Sequence, residues 1–248
     1  MPEPNMTFTW KVALVAGGTG GLGRAVSLAL LKEGARVIVP YRSDQEFADL
    51  KSHAGGDGSR LAGRPVDVTD EAAVQQLVAA ITSENGHLDI LVNTVGGYAG
   101  GDRLWDLDTR VFDQMLALNL RSGYVLSRAA ARVMLRQAKG AIINIASKAA
   151  LDHESGAAAY AASKAAAVAL MDSLAADLKG SGVRVNSILP SIIDTQANRK
   201  AMPNADFAKW PKPEDIANVI LGELAASTER IQPRDLRLGQ IREHRSIV

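Results

Sequence analysis

The stretch Val12-Ala13-Leu14-Val15-Ala16-Gly17-Gly18-Thr19-Gly20-Gly21-Leu22-Gly23 decides how this chain is read. Five apolar residues in a row mark a strand buried on both faces, and the glycines that follow lead at once into a helix starting near Gly21. Such a turn tolerates positive φ and leaves the backbone open. The helix N-terminus beyond it presents free N–H groups and the positive end of its dipole. A dinucleotide pyrophosphate is the ligand this geometry suits, with Gly17, Thr19, Gly20, Gly21, Leu22 and Gly23 around it. Taken alone, the same glycines could do no more than join a strand to a helix.

Working outward, β-branched runs recur at Arg36 to Val39, Leu88 to Asn93, Ala141 to Ile145 and Val183 to Ile188. Helix-length segments lie between them at Gly21 to Glu33, Asp70 to Glu84, Asp108 to Lys139, Tyr160 to Lys179 and Pro213 to Ala226. Alternation of this kind implies parallel strands joined by right-handed crossovers, a Rossmann-type doubly wound α/β sheet with helices on both faces. The glycine-rich Gly55 to Gly63 reads as a surface loop. No linker divides the 248 residues, so 1–248 is expected to be a single domain.

Composition narrows the function. With 28 basic and 27 acidic side chains the formal net charge is +1, so no field draws the chain to nucleic acid or anionic lipid. Cysteine is absent, which removes disulfides and thiolate chemistry and fits a reducing compartment; no metal site is expected. The first eleven residues hold no signal-like apolar run, and Ala161 to Leu178 is interrupted by Lys164, Asp172 and Asp177, so a cytoplasmic location without a membrane span is expected.

Tyr160 and Lys164 stand four apart at the start of a helix, on one face. A free phenol titrates near ~10 and is a poor acid or base at neutral pH unless a nearby cation favours the phenolate, which Lys164 could do. Ser147 closes the apolar run Ala141 to Ala146 at the carboxyl end of a strand, where doubly wound sheets bind ligands. Its hydroxyl could hold a substrate carbonyl beside the phenol. Asn119, inside the long helix, could anchor a water.

Gly17-x-x-x-Gly21-x-Gly23, Asn93-x-x-Gly96, Asn119, Ser147, Tyr160-x-x-x-Lys164 and Pro190 to Thr195, in this order, resemble the classical short-chain dehydrogenase/reductase family over roughly residues 10 to 225. The resemblance implies hydride transfer between a nicotinamide and a carbonyl or secondary alcohol. In it Tyr160 is the acid/base, Lys164 lowers the tyrosine pKa and binds ribose, Ser147 orients the carbonyl and Asn119 supports a proton relay. It also assigns Asp67 and Val68 to adenine, Asn93 to the cofactor ribose side, and Ile193 and Thr195 to the nicotinamide carboxamide, with Gly96 and Pro190 among the cofactor contacts. Without it, Asp67 would be read as a turn residue and Thr195 as a helix cap.

An NAD site usually carries a carboxylate at the end of the second strand. This chain has Val39-Pro40-Tyr41-Arg42-Ser43 there, a guanidinium and a hydroxyl suited to a phosphate. NADP(H) is therefore favoured, with NAD(H) as the alternative if Asp44 folds back to the ribose.

The chain departs from the family pattern at Ala16, where threonine is common, at Val95, where alanine is expected, and at Pro190-Ser191, where Pro-Gly is frequent. The segment from Glu229 to Val248, with five arginines, reads as an exposed charged extension. The resemblance implies a homo-oligomer, dimer or tetramer. Residues 196–210 are expected to form a lid with Met202, Phe207 and Trp210, and the loops Gly96 to Arg103 and Ala149 to Gly156 to line the substrate site, His153 being a solvated loop residue. Nothing in the sequence selects among thioester, sugar, steroid or quinone substrates. A cofactor-binding sensor without turnover is the rival reading, and an epimerase or dehydratase of the extended branch is disfavoured by length.

Overall fold

The computed structural model describes residues 7–226 and 236–238. Seven parallel strands form one sheet in the order β3-β2-β1-β4-β5-β6-β7: β1 Val12–Ala16, β2 Arg36–Tyr41, β3 Leu61–Pro65, β4 Ile90–Asn93, β5 Gly140–Ile145, β6 Val183–Pro190 and β7 Leu236–Leu238. The helices are α1 Gly21–Lys32, α2 Asp44–Ala54, α3 Glu71–Asn85, α4 Thr109–Leu116, α5 Ser122–Gln137, α6 Ala158–Asp177, α7 Gln196–Ala201 and α8 Pro213–Ala225.

The run Val12 to Ala16 is buried throughout because its side chains alternate between two cores. Ala13 and Val15 pack with Val26 and Leu30 of α1 and Ile216 and Ile220 of α8, while Val12, Leu14 and Ala16 pack with Leu77 and Ile81 of α3 and Leu126 and Met134 of α5. The expected doubly wound architecture is thus observed, and strand order reverses between β1 and β4, where such sheets bind ligands. β2 keeps register with β1 only from Arg36 to Ile38, so Pro40, which has no N–H to give, lies past the paired part and the strands part above it.

Three local expectations are corrected, and one helix that the sequence reading passed over is found. Gly55 to Gly63 is not one loop: a 3₁₀ turn at Gly55–Arg60 runs into edge strand β3, whose Gly and Pro hide its β character from propensity. Between β2 and β3 the helix α2 forms, capped by Ser43, whose hydroxyl accepts from the Glu46 N–H at 3.3 Å. The Ser43-x-x-Glu46 spacing is the capping signal for it. The single helix expected over Asp108 to Lys139 is broken by a wide π turn at Ala117–Arg121. In the C-terminal segment, Leu236–Leu238 pairs with Ile188–Pro190 as a seventh strand instead of extending freely; the rest of the segment from Glu229 lies outside the described residues. Backbone pairing at an open sheet edge needs no side-chain alternation, which explains why the sequence hides it.

Among the described residues no helix is long and apolar enough to cross a membrane, and no cluster of His, Asp or Glu could hold a metal ion.

Candidate active site

The glycine turn is held by backbone contacts that only glycine permits. Gly17 adopts φ +75° with its carbonyl accepting from Gly20 N–H at 3.0 Å, and a Cβ on Gly23 would fall 2.0 Å from that same carbonyl oxygen. Thr94, after β4, ties β4 to β1 through its hydroxyl on the Ala16 carbonyl at 2.8 Å. Helix α1 begins at Gly20 with no side-chain cap and no acid in its first turn, whereas Ser43, Asp70 and Asp108 cap α2, α3 and α4. Its first N–H groups are left for an anion, which is what a pyrophosphate needs.

Beside this turn lies a cleft of about 570 Å³. Of the expected cofactor residues, Gly17, Thr19, Gly20, Arg42, Asp67, Val68 and Gly96 line it together. Tyr41, Ser43, Glu46 and Thr94 join them. Gly21, Leu22 and Gly23 start α1, and Asn93 sits buried beneath, donating from Nδ2 to Asn144 Oδ1 at 3.0 Å and accepting from Val95 N–H at 3.2 Å. Asp67 makes the plain turn, its Oδ1 accepting from Thr69 N–H at 2.9 Å and Thr69 Oγ1 at 2.7 Å, and these contacts hold its carboxyl below the usual range. Asp44, the carboxylate that might have returned to a ribose, instead hydrogen-bonds the Tyr41 phenol and pushes it up, while Tyr41 stacks on Phe47 at 4.8 Å.

Ser147 follows β5 and accepts from the Ala149 N–H at 3.2 Å. Across from it, at the start of α6, stands Tyr160. Burial raises the Tyr160 pKa, a hydrogen bond with Ser147 lowers it in part, and Tyr98 raises it further. Lys164, one turn along, is 5% exposed, donates to the Ile145 carbonyl at 3.0 Å, and lies 6.0 Å from the Tyr160 ring centroid. Burial pushes Lys164 itself down to about 8. Burial thus acts on the two groups in opposite directions, raising the phenol and lowering the ammonium, which is engaged by a backbone carbonyl.

The π turn aims Asn119 inward, 2% exposed. Its Oδ1 accepts from Gly97 N–H at 3.0 Å and its Nδ2 donates to the Gly97 carbonyl and to Ser163 Oγ, each at 3.0 Å. Gly96 leaves no room between: a Cβ there would lie 2.9 Å from Asn119 Oδ1 and 3.0 Å from Lys164 Nζ. Asn119, Gly96 and Lys164 thus converge from three elements.

The loops 96–103 and 149–156 are clasped together, Gly101 N–H donating to the Gly156 carbonyl at 2.8 Å and Arg103 to Ser155 Oγ at 2.6 Å. His153 in the second loop is exposed, as expected. Tyr98, which the sequence reading passed over, sets its ring edge against Tyr160 with centroids 5.1 Å apart; only its place two residues after Gly96 hinted at this. Glu46 and Ser163 were likewise missed.

Pro190 ends β6 and is buried, and Ile193 packs on the core beside α1 and α8. Thr195 stands against Gly21 and caps α7, accepting from Asn198 N–H at 3.2 Å. Within 196–210, Phe207 packs on Trp210 at 5.0 Å and under Arg199, whose guanidinium grips Asp194 at 2.5 and 2.8 Å. These aromatics brace the segment internally.

Comparison with known proteins bears on this arrangement. A family model described as short chain dehydrogenase matches residues 11–206. The D-threitol dehydrogenase of Mycolicibacterium smegmatis is 37% identical over 201 residues, 80% of this chain and 77% of that protein. A short-chain type dehydrogenase/reductase from Mycobacterium ulcerans superposes with a TM-score of 0.84 at 27% identity, covering 93% of this chain and 88% of that one. An NAD+-bound xylitol dehydrogenase gives 0.82 at 25% identity, covering 93% and 97%. With the glycine turn, the tyrosine–lysine turn of helix and the serine facing them, these likenesses show that the chain belongs to the short-chain dehydrogenase/reductase family, oxidoreductases that act on CH–OH and C=O groups with a nicotinamide dinucleotide.

Proposed function

We propose that this chain is an NADP(H)-preferring carbonyl reductase or alcohol dehydrogenase in which Tyr160 is the proton donor and acceptor. The observation that carries the reading is the Tyr160 phenol paired with Ser147 at the carboxyl end of β5, with the Lys164 ammonium buried one turn on, against Gly96 of the glycine-lined cleft. The pyrophosphate would lie on the uncapped start of α1, the adenosine in the cleft between Arg42 and Asp67–Val68, and the nicotinamide near Thr195, Ile193 and Pro190. When bound, the cofactor supplies or accepts the hydride. Ser147 holds the substrate oxygen beside the phenol, and Tyr160 gives that oxygen its proton in reduction or takes it in oxidation. A phenol raised by burial is protonated at neutral pH, which suits reduction; oxidation should quicken as the medium becomes alkaline.

The NADP(H) preference is supported by Arg42 on the cleft lining, with Asp44 turned to the Tyr41 phenol and Asp67 to Thr69, which leaves Glu46 as the remaining carboxylate of that lining. The NAD+-bound structure of similar fold supports NAD(H) as a second cofactor. The likeness to polyol dehydrogenases makes polyols and their keto forms the first substrates to screen.

Tyr160→Phe tests the reading. Turnover of a responsive carbonyl compound, followed by nicotinamide absorbance, should fall by about 10²- to 10⁴-fold with cofactor affinity kept. Full activity in this variant would sink the assignment, and a cofactor sensor without chemistry would turn over no carbonyl compound in either form.

A further inference from the structure

We propose that Glu46 sets the balance between the two nicotinamide dinucleotides, its carboxylate accepting from a 2′-hydroxyl on the adenosine ribose and opposing a 2′-phosphate there. This rests on the reading of the cleft as the adenosine site. Among the described residues Arg42 lines the cleft with two acids, Glu46 and Asp67, and Asp44 follows next but one in the chain. Asp44 is occupied by the Tyr41 phenol, and Asp67 is satisfied on one oxygen by both donors of Thr69. Glu46 alone reaches the glycine turn, where its Oε2 accepts from Thr19 Oγ1 at 3.0 Å across 27 positions of sequence.

That bond straps α2 to the turn on the rim of the cleft that both residues line with Arg42 and Ser43. It is exposed, so it can be exchanged for a ligand contact without burying a charge. A ribose diol arriving between Arg42 and Thr19 finds in Glu46 an acceptor already in place. A phosphate arriving there finds Arg42 as partner and Glu46 as a like charge, and must turn the carboxylate aside. The Glu46 backbone is held by its own N–H on the Ser43 hydroxyl, so the rearrangement is confined to the side chain. The carboxylate that family logic seeks at the strand end is thus supplied from the first turn of the following helix, beside the guanidinium that favours the opposite cofactor.

Binding of NADPH, NADH and adenosine 2′,5′-bisphosphate to the full chain, measured by calorimetry, tests this with Glu46→Gln, Glu46→Ala and Arg42→Ala. Gln keeps the length and the link to Thr19 but removes the charge. It should tighten NADPH and the bisphosphate about three- to tenfold and leave NADH unchanged or weaker. Glu46→Ala should shift NADPH the same way, and Arg42→Ala the opposite way. Equal shifts for NADPH and NADH, no shift, or weaker NADPH binding in both Glu46 variants would overturn the proposal. If the unaltered chain binds neither dinucleotide, the adenosine-cleft reading itself fails, a result that does not resemble any of the Glu46 outcomes.

Discussion

Lys164 shows what a single residue's surroundings decide. Its spacing from Tyr160 is plain in the sequence, but a sequence does not state that the ammonium is buried and held by the Ile145 carbonyl. Burial lowers its pKa from the ordinary 10.5 to about 8, so between those values the unfolded chain binds a proton that the folded chain has lost. The cost of burying the charge is full below about pH 8 and fades toward pH 10.5, so the group's contribution makes stability rise with pH across that window. Lys164→Met lacks this titration. The difference in unfolding free energy, wild type minus variant, should increase from pH 7.5 to 9.5 in denaturant titrations; a flat difference would show that the ammonium is not desolvated. Tyr160 has the same lesson with the other sign, since loss of water raises the phenol and the neighbouring Tyr98 adds to it, against a Ser147 hydrogen bond that lowers it.

At the scale of elements, the glycine turn was legible because its constraint is local: backbone that must approach backbone admits no Cβ. Gly23→Ala places a methyl 2.0 Å from the Gly17 carbonyl oxygen, an atom fixed by its hydrogen bond to Gly20, so the turn must open. Dinucleotide binding should be lost, and stability should fall by roughly 1 to 3 kcal/mol, read from the denaturation midpoint. Helix α8 depends on a more distant partner, Arg184 of β6, which donates to the carbonyls of Glu223 and Leu224 at 2.6 and 2.9 Å. Arg184→Ala should cost about 1.5 to 3 kcal/mol in the same measurement, since charged donors at a helix C-terminus are lost. The π turn that inserts Asn119 was invisible, because an extra residue in a helix changes no apolar period strongly enough to be read.

For the whole molecule, strand alternation was enough to state a parallel doubly wound sheet, and the order with its reversal between β1 and β4 agrees. Edge strands β3 and β7 escaped, since edges are joined by backbone pairing and carry little side-chain signature. Tyr124 and Leu135 on α5 and Phe112 on α4 remain exposed in the single chain. Exposed large apolar groups on neighbouring helices fit a subunit contact. Sedimentation at micromolar concentration is therefore expected to give two or four times the chain mass; a monomer would contradict the homo-oligomer proposal.

By itself the sequence determined the fold class, the position of the glycine turn and the tyrosine–lysine spacing on one helix face, because period and turn chemistry act over a few neighbours. The tertiary structure alone decided the directions in which burial shifts Tyr160 and Lys164, the inward turn of Asn119, the clasp of loops 96–103 and 149–156 and the reach of Glu46 to Thr19. Each of those depends on water excluded, or on a contact made, by segments tens of residues away, and neither quantity is a property of local sequence.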